Sequence, residues 1–521
     1  MYRYFLRTAA LCVVFGLFVS LPAAAQTPSG VLIVGQTAEP KSLDPATVTA
    51  VNDFRILVNL YDGLVRYKDS SLQVEPALAR SWKISDDGRV YTLQLRQGVQ
   101  FHDGTPFNAE AVKFNFERML DNDHPYHDTG PFPFAFFFSY IDKIETPNNY
   151  EVVFHLKQSY APFLSNLAYP TGLIISPAAV KKYGKEVGRH PNGTGPFRFE
   201  EWQSNTKVVV SANPDYWGGK PKLKAVVFRP LTDANTRLAE ILSGGLDVMV
   251  NVPPDSIKIF HKDPRFTVLQ QVGPHVWFLI LNTREGIFKD KRVRQAVNYA
   301  VNKKTLAEDI LQGTATVANG PTPPAFAWAH NNKLEPYPYD PAKARALLKA
   351  AGVKDAKLVF YVTEGGSGML DPLAMGTAIQ ADLAKVGLQA RIETYEWNTF
   401  LSKVNAGLEG KADMAEMAWM TNDPDTLPYL ALRSEATPAT GGFNSGYYSN
   451  PKVDVLLEKA RRTTDQAQRA RLYKKMQTIV HDDAPWLFVA NWKQNAVANV
   501  RVKGLKLQPS FLLLLHSVSK N

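Results

Sequence analysis

Cys12 is the only cysteine in the 521 residues, and it lies inside a leader. The first seven residues carry Arg3 and Arg7 and no acid. An apolar run, TAALCVVFGLFVSL, follows, and PAAAQ then places Ala23 and Ala25 at the spacing of a small-residue cleavage site. That order reads as a signal peptide over residues 1–25, cut after Ala25. The run is well short of the ~20 apolar residues that span a bilayer, so it is not read as a retained anchor. Leu11 stands where lipid attachment at Cys12 would need a small residue. The exported remainder then enters an oxidising compartment with no disulfide available to it. It must stand on its own buried cores, and its length suffices for about three domains or subdomains. No later segment is long and apolar enough to cross a membrane, and FLLLL (511–515) is strand-sized.

Strand and helix patterns alternate along the mature part, which predicts α/β layers. VLIVGQT (31–37) reads as a buried strand. YTLQL (91–95) and EVVFHL (151–156) read as strands entered from the turn-rich stretches SDDGR and TPNN. FNAEAVKFNFERM (107–119) predicts a helix capped by Asn108, with Glu110 favourable in its first turn and Val112, Phe116 and Met119 on one face. In VRQAVNYAV, residues Val293, Ala296, Val297, Ala300 and Val301 recur at helical spacing. DPAKARALLKAAG (340–352) combines an Asp340 cap, Pro341 at the first helical position and Gly352 at the far end. The stretch 358–395 reads as strand, helix, strand. The last third adds a long helix over 465–483 and the strand WLFVA. No repeat or low-complexity linker marks a domain boundary.

The formal charge is +10, and cleavage removes the two charges of Arg3 and Arg7. The basic residues are spread out, with only short clusters such as KDKRVR (289–294), so solvated helix faces explain them better than a nucleic-acid surface. Enzyme motifs are missing: GGSGM (365–369) lacks the final glycine of a nucleophile elbow, and GTG (193–195) is not continued into a dinucleotide fingerprint. One loop, DNDHPYHD (121–128), offers His124, His127 and Asp128 as metal ligands, although its prolines and glycine favour a plain surface loop. No cofactor or metal is called for.

Several aromatics sit in polar, turn-rich company: HVWFLILNT (275–283), YEWNTF (395–400), AWMTND (418–423) and GGFNSGYY (441–448). Large rigid plates beside a few polar anchors suit a concave small-molecule site. Asp423 and Asp425, separated by Pro424, admit four readings from spacing alone: a turn, a catalytic pair, half a metal site or a wall that grips a cation.

The order AEPKSLDP (38–45), LYDGLVRY (60–67), VEPALARSWKISDDGRVYTLQLRQGVQFHDGTPFNAEAVKF (74–114), GTGPFRFEEW (193–202), NPDYWGGKPKL (213–223) and VRQAVNYAVNKKTL (293–306) resembles the extracellular solute-binding proteins of family 5. These are the peptide-, nickel- and glutathione-type receptors of ABC importers. The likeness continues through YPYDPAKARALLKAAG (337–352), QADLAKVGLQARIETYEW (380–397) and YYSNPKVDVLLEKA (447–460), essentially to the end of the chain.

The resemblance implies an α/β, two-lobed periplasmic binding protein of the type II, cluster C architecture. An extra subdomain is inserted in lobe I, and two hinge crossings join the lobes. The expected division is 26–58, 170–272 and 495–521 for the core of lobe I, 59–169 for the insert and 273–494 for lobe II. Function then follows from hinge closure on a ligand that touches both lobes.

The resemblance also implies a ligand-binding set of Glu39, Thr194, His275, Trp277, Trp397, Trp419, Thr421, Asn422, Asp423, Phe443 and Asn444. In peptide-binding members the segment after the tryptophan supplies an aspartate to the ligand's amino terminus. Here Asn422 stands at that place and Asp423 one further on. The arginine that dipeptide binders supply to the carboxylate has no counterpart between Val362 and Gln380, where there is no Lys or Arg. Expected partners are a short peptide or peptide-like solute and the transmembrane subunits of an ABC permease, the receptor being a monomer. The same fold serves oligosaccharides, opines or a nickel chelate as alternatives, and a hydrolase working through Asp423 and Asp425 is the enzymatic one.

Overall fold

A computed structural model describes residues 28–366 and 368–521. The leader and its cleavage site lie outside the described residues. Among these, no helix is long and apolar enough to cross a membrane.

One large mixed sheet organises the molecule. Its strands run in the spatial order Leu388–Tyr395, Ala356–Thr363, Met414–Met420, His275–Leu281, Trp486–Asn499, Val248–Val250, Val31–Gln36, Ala225–Pro230, Lys207–Ala212, Phe197–Gln203. Val31–Gln36 lies parallel to both of its neighbours, and so does Ala356–Thr363, as crossover helices require. The predicted strand–helix–strand unit is one of these crossovers, its helix spanning Pro372–Ala384. A separate antiparallel sheet, in the order Ala79–Ile84, Val90–Leu95, Glu151–Leu156, Ile141–Asn148, carries the segment between the first two parts of that large sheet.

Where local signals are strong, elements form as the chemistry predicts. Asn108 accepts a hydrogen bond from the Ala111 amide (3.0 Å) at the start of Ala109–Leu120, and Val112, Phe116 and Met119 are buried along one face. Asp340 caps Pro341–Ala350 through the Lys343 amide (2.8 Å), and Gly352 just beyond takes a left-handed φ of 75°.

Two elements differ from expectation. WLFVA opens a 14-residue strand, Trp486–Asn499, nearly three times the length of the predicted piece. Its first half pairs with His275–Leu281 and Ala315–Val317, and its second half with Phe266–Val272 and Val248–Val250. It therefore runs from one half of the large sheet into the other. A second link beside it is Gly273–Pro274, between the strands Phe266–Val272 and His275–Leu281.

FLLLL is not a strand. Its backbone groups are taken by side chains of the helix Val51–Leu60: Arg55 Nε donates to the Phe511 carbonyl (3.0 Å), and Asn59 Nδ2 donates to that of Leu513 (2.8 Å). Asn59 Oδ1 accepts from the Leu515 amide (3.0 Å). With those groups satisfied the segment needs no neighbouring strand, and Leu512, Leu513 and Leu515 pack into the core as irregular chain.

The apolar cores gather in three regions. One takes residues from 32–61, 175–250 and 496–518, with a satellite around Ile241, Met249 and Phe260. A second is built almost wholly from 64–174, and a third from 276–490 on both faces of the sheet. Tyr67 and Leu72 are exceptions, since they pack with Phe278, Met417 and Leu427 of the third region.

Candidate functional site

A cavity of about 970 Å³ lies where the three regions meet. One wall comes from Thr37, the N-terminal half of the helix Val51–Leu60, Asn251 and Phe511. A second comes from Tyr67, Phe134, Phe136, Phe137 and Tyr169. The opposite wall uses His275, Phe278, Trp397, Met417, Trp419, Leu430 and Phe443, and Trp492 sits on the strand that runs between the walls. The lining is apolar and strongly aromatic, and the volume is at the upper end of the ordinary range for small-molecule sites. Trp419 meets Phe443 edge-on (centroids 5.0 Å apart) and Trp397 stacks parallel to Phe400, favoured geometries for aromatic pairs.

Of the residues expected to bind ligand, His275, Trp397, Trp419, Thr421, Asn422 and Phe443 line this cavity. His275 Nε2 is 2.8 Å from the Gly368 carbonyl, which can only accept, so Nε2 carries the proton. Burial pushes its pKa down to about 4, and Nδ1 is left as a buried acceptor with no partner among the described residues. Asn422 donates to Asn166 Oδ1 (2.7 Å) and accepts from Thr426 Oγ1 (3.0 Å), so its amide is already committed.

The other five lie outside the lining. Glu39 accepts from Trp202 Nε1 (2.8 Å). Thr194 donates to Asp62 Oδ2 (2.8 Å), in a buried cluster where Tyr216 and Trp217 donate to the same carboxylate. Trp277 is fully buried among Leu279, Val297 and Leu487, on the face of its strand opposite the cavity-lining Phe278 and Ile280, because alternate residues of a strand face opposite ways. Asn444 directs its amide to the backbone of Arg433 and Tyr448.

Asp423 is held by Arg469, which donates to Oδ1 (2.6 Å) and Oδ2 (3.2 Å), and by Ser165 Oγ (2.9 Å). Asp425 is gripped in the same way by Arg461 Nε and Nη2, and the Arg461 guanidinium lies over the Tyr429 ring. Both carboxylates are neutralised inside the protein. Neither is placed to act as a general base or to receive a ligand's cation, because each already has its counter-charge.

The loop 121–128 does not assemble a metal centre. His124 Nδ1 accepts from the Tyr126 amide, His127 Nδ1 meets the Arg118 carbonyl, and Asp128 pairs with Lys185. Among the described residues no group of three His, Cys, Asp or Glu is placed to hold a metal ion.

Sequence reasoning missed Arg55. It lines the cavity, is 3% exposed, and has no carboxylate at ion-pair distance among the described residues. Its partners are neutral oxygens: the Phe511 carbonyl (3.0 Å), Asn251 Oδ1 (3.0 Å) and Asn52 Oδ1 (3.4 Å). Burial lowers its pKa to about 10, which still leaves it charged at neutral pH. The available signal was a lone arginine inside the apolar run FRILVNL, which is unusual for a buried helix face.

The family model for bacterial extracellular solute-binding proteins, family 5 middle region, matches residues 73–441. "Di/tripeptide-binding protein 2" of Pseudomonas aeruginosa (strain UCBPP-PA14) is 34% identical over 505 residues, covering 94% of either chain. "Heme-binding protein A" of Haemophilus influenzae is 35% identical over 470 residues, covering 86% of this chain and 85% of that one. Among solved structures, the ABC transporter-associated periplasmic binding protein DppA of Helicobacter pylori, in complex with the peptide STSA, superposes with a TM-score of 0.75. It is 33% identical and the match covers 94% of this chain and 98% of that one.

Proposed function

The chain belongs to the family 5 bacterial extracellular solute-binding proteins, and from that premise we propose that it captures short peptides or peptide-like solutes in the periplasm and hands them to an ABC permease. The observation that carries this reading is the cavity itself: its walls are drawn from either side of the two crossings at Gly273–Pro274 and the strand Trp486–Asn499. A solute held there touches both sides at once, so it stabilises a closed arrangement over an open one. Closing a mostly open receptor takes ~5 kcal/mol of differential affinity, which contacts from one wall alone do not supply.

We assign lobe I to 26–58, 170–272 and 495–521, its insert to 59–169 and lobe II to 273–494. The separation of the apolar cores supports that division. Within the cavity, Trp397, Trp419 and Phe443 would flank the solute, and the bare Nδ1 of His275 would accept from an amide N–H. The receptor acts as a monomer, and transfer to the permease replaces any chemistry.

A thermal-shift screen of the mature protein tests the ligand class. Di- to tetrapeptides are expected to raise the melting point, by about 2.7 kcal/mol of stabilisation at a hundredfold excess over Kd. Oligosaccharides, opines, nickel chelates and haem serve as the contrasts. A rise with any of those and none with peptides overturns the peptide assignment.

A further inference from the structure

We propose that Arg55 receives a carboxylate of the ligand, and that nothing in the cavity reads a ligand's amino group. This rests on the receptor reading above and names the chemistry that the same cavity selects. Arg55 is the only charged side chain among the described residues of the lining, which contains no Asp, Glu or Lys. A buried guanidinium surrounded by neutral oxygens is an incomplete ion pair, and in such a site a planar carboxylate fits its parallel N–H groups. Three of the five N–H groups of Arg55 have partners, at the Phe511 carbonyl, Asn251 and Asn52, which leaves two for a solute.

The support for Arg55 includes unusual backbone. Asn251 and Phe511, two of the residues that accept from it, both hold left-handed conformations, with φ of 53° and 68°. Such conformations are uncommon for a non-glycine residue and are kept where the surroundings demand them. Asn251 is pinned further by its amide, which donates to the Asn495 carbonyl (3.1 Å). Two strained residues, far apart in the chain, therefore hold one arginine in place.

The acids near the opposite wall cannot supply the missing charge. Asp423 and Asp425 are occupied by Arg469 and Arg461. The cavity thus offers one fixed positive charge in an apolar, aromatic enclosure. The ligand class that completes it is an apolar molecule ending in a carboxylate: a hydrophobic peptide with a free C-terminus, whether or not its N-terminus is blocked.

Isothermal titration of the mature protein separates the possibilities. A hydrophobic tripeptide is compared as the free acid, as its C-terminal amide and as its N-acetylated acid. The amide is expected to bind more weakly by on the order of tenfold to a hundredfold, and the N-acetyl acid to stay within about threefold of the parent. An amide that binds as well as the acid overturns the proposal, and so does an N-acetyl acid that loses the affinity. In Arg55→Gln the difference between acid and amide should vanish, while Arg55→Lys should keep part of it. Because the first comparison uses the unaltered protein, a misfolded variant does not obscure the answer.

If no peptide binds in any form, the peptide reading fails instead, and the same comparison is made with a non-peptide apolar acid and its amide. A preference for that acid of about tenfold or more upholds the role of Arg55. Equal binding, or no binding to either, overturns it.

Discussion

Glu416 sits at full burial in the strand Met414–Met420, where the Thr363 amide donates to its Oε1 (2.7 Å) and Oε2 has no partner among the described residues. Burial raises its pKa well above the usual carboxylate range, so the fold prefers the protonated form. The contribution of such a group is fully present below its unfolded pKa of ~4.3 and is lost as pH rises toward the folded value. Glu416→Gln keeps the acceptor for Thr363 and cannot ionise. It should be more stable than the parent at neutral pH and show a flatter dependence of melting temperature on pH above about 5. Identical pH slopes in parent and variant would count against a buried, titrating acid there. At this scale the sequence is a poor guide. Asp423 and Arg55 are single letters whose meaning depends on whether a counter-charge folds against them: Arg469, 46 positions away, does so for Asp423, and no carboxylate among the described residues does for Arg55.

The loop after Trp419 is tied to two helices, Pro451–Arg462 through Arg461 and Gln466–Asp483 through Arg469. It is tied as well to the segment 159–166, where Ser165 donates to Asp423, Asn166 accepts from Asn422, and the Ala161 amide donates to the Arg461 carbonyl (2.8 Å). Asp423→Asn would leave Arg469 charged and half-paired in the interior, which should cost about 3 kcal/mol and lower the apparent melting temperature by several degrees, read by circular dichroism. If instead the variant melts normally and loses ligand affinity, Asp423 is a ligand contact and the structural role assigned to it is wrong. Elements that carry their own start and stop signals are legible in the sequence, as Asn108 with Ala109–Leu120 and Asp340 with Pro341–Ala350 illustrate. FLLLL is not, because its conformation is settled by Arg55 and Asn59 on the helix Val51–Leu60, 456 positions earlier in the chain.

Across the molecule, the chain passes between the halves of the large sheet at two places, Gly273–Pro274 and the strand Trp486–Asn499. At one of them, the Gly273 amide donates to the Trp492 carbonyl (3.0 Å), and a Cβ on Gly273 would collide with the ring of Phe511. Gly273→Ala should therefore push Phe511 toward the cavity, weaken ligand binding and reduce ligand-induced compaction measured by small-angle X-ray scattering. Binding and compaction equal to the parent would show that this contact does not govern closure. The sequence by itself determined the fold class, the family, and those strands and helices that carry strong local signals, since these rest on periodicity, caps and ordered motifs that act over a few residues. Only the tertiary structure decided which side chains face the cavity and which are already paired. Burial and charge pairing are properties of neighbours in space: they keep Trp277, Asp423 and Asn444 out of the cavity lining and bring Arg55 into it.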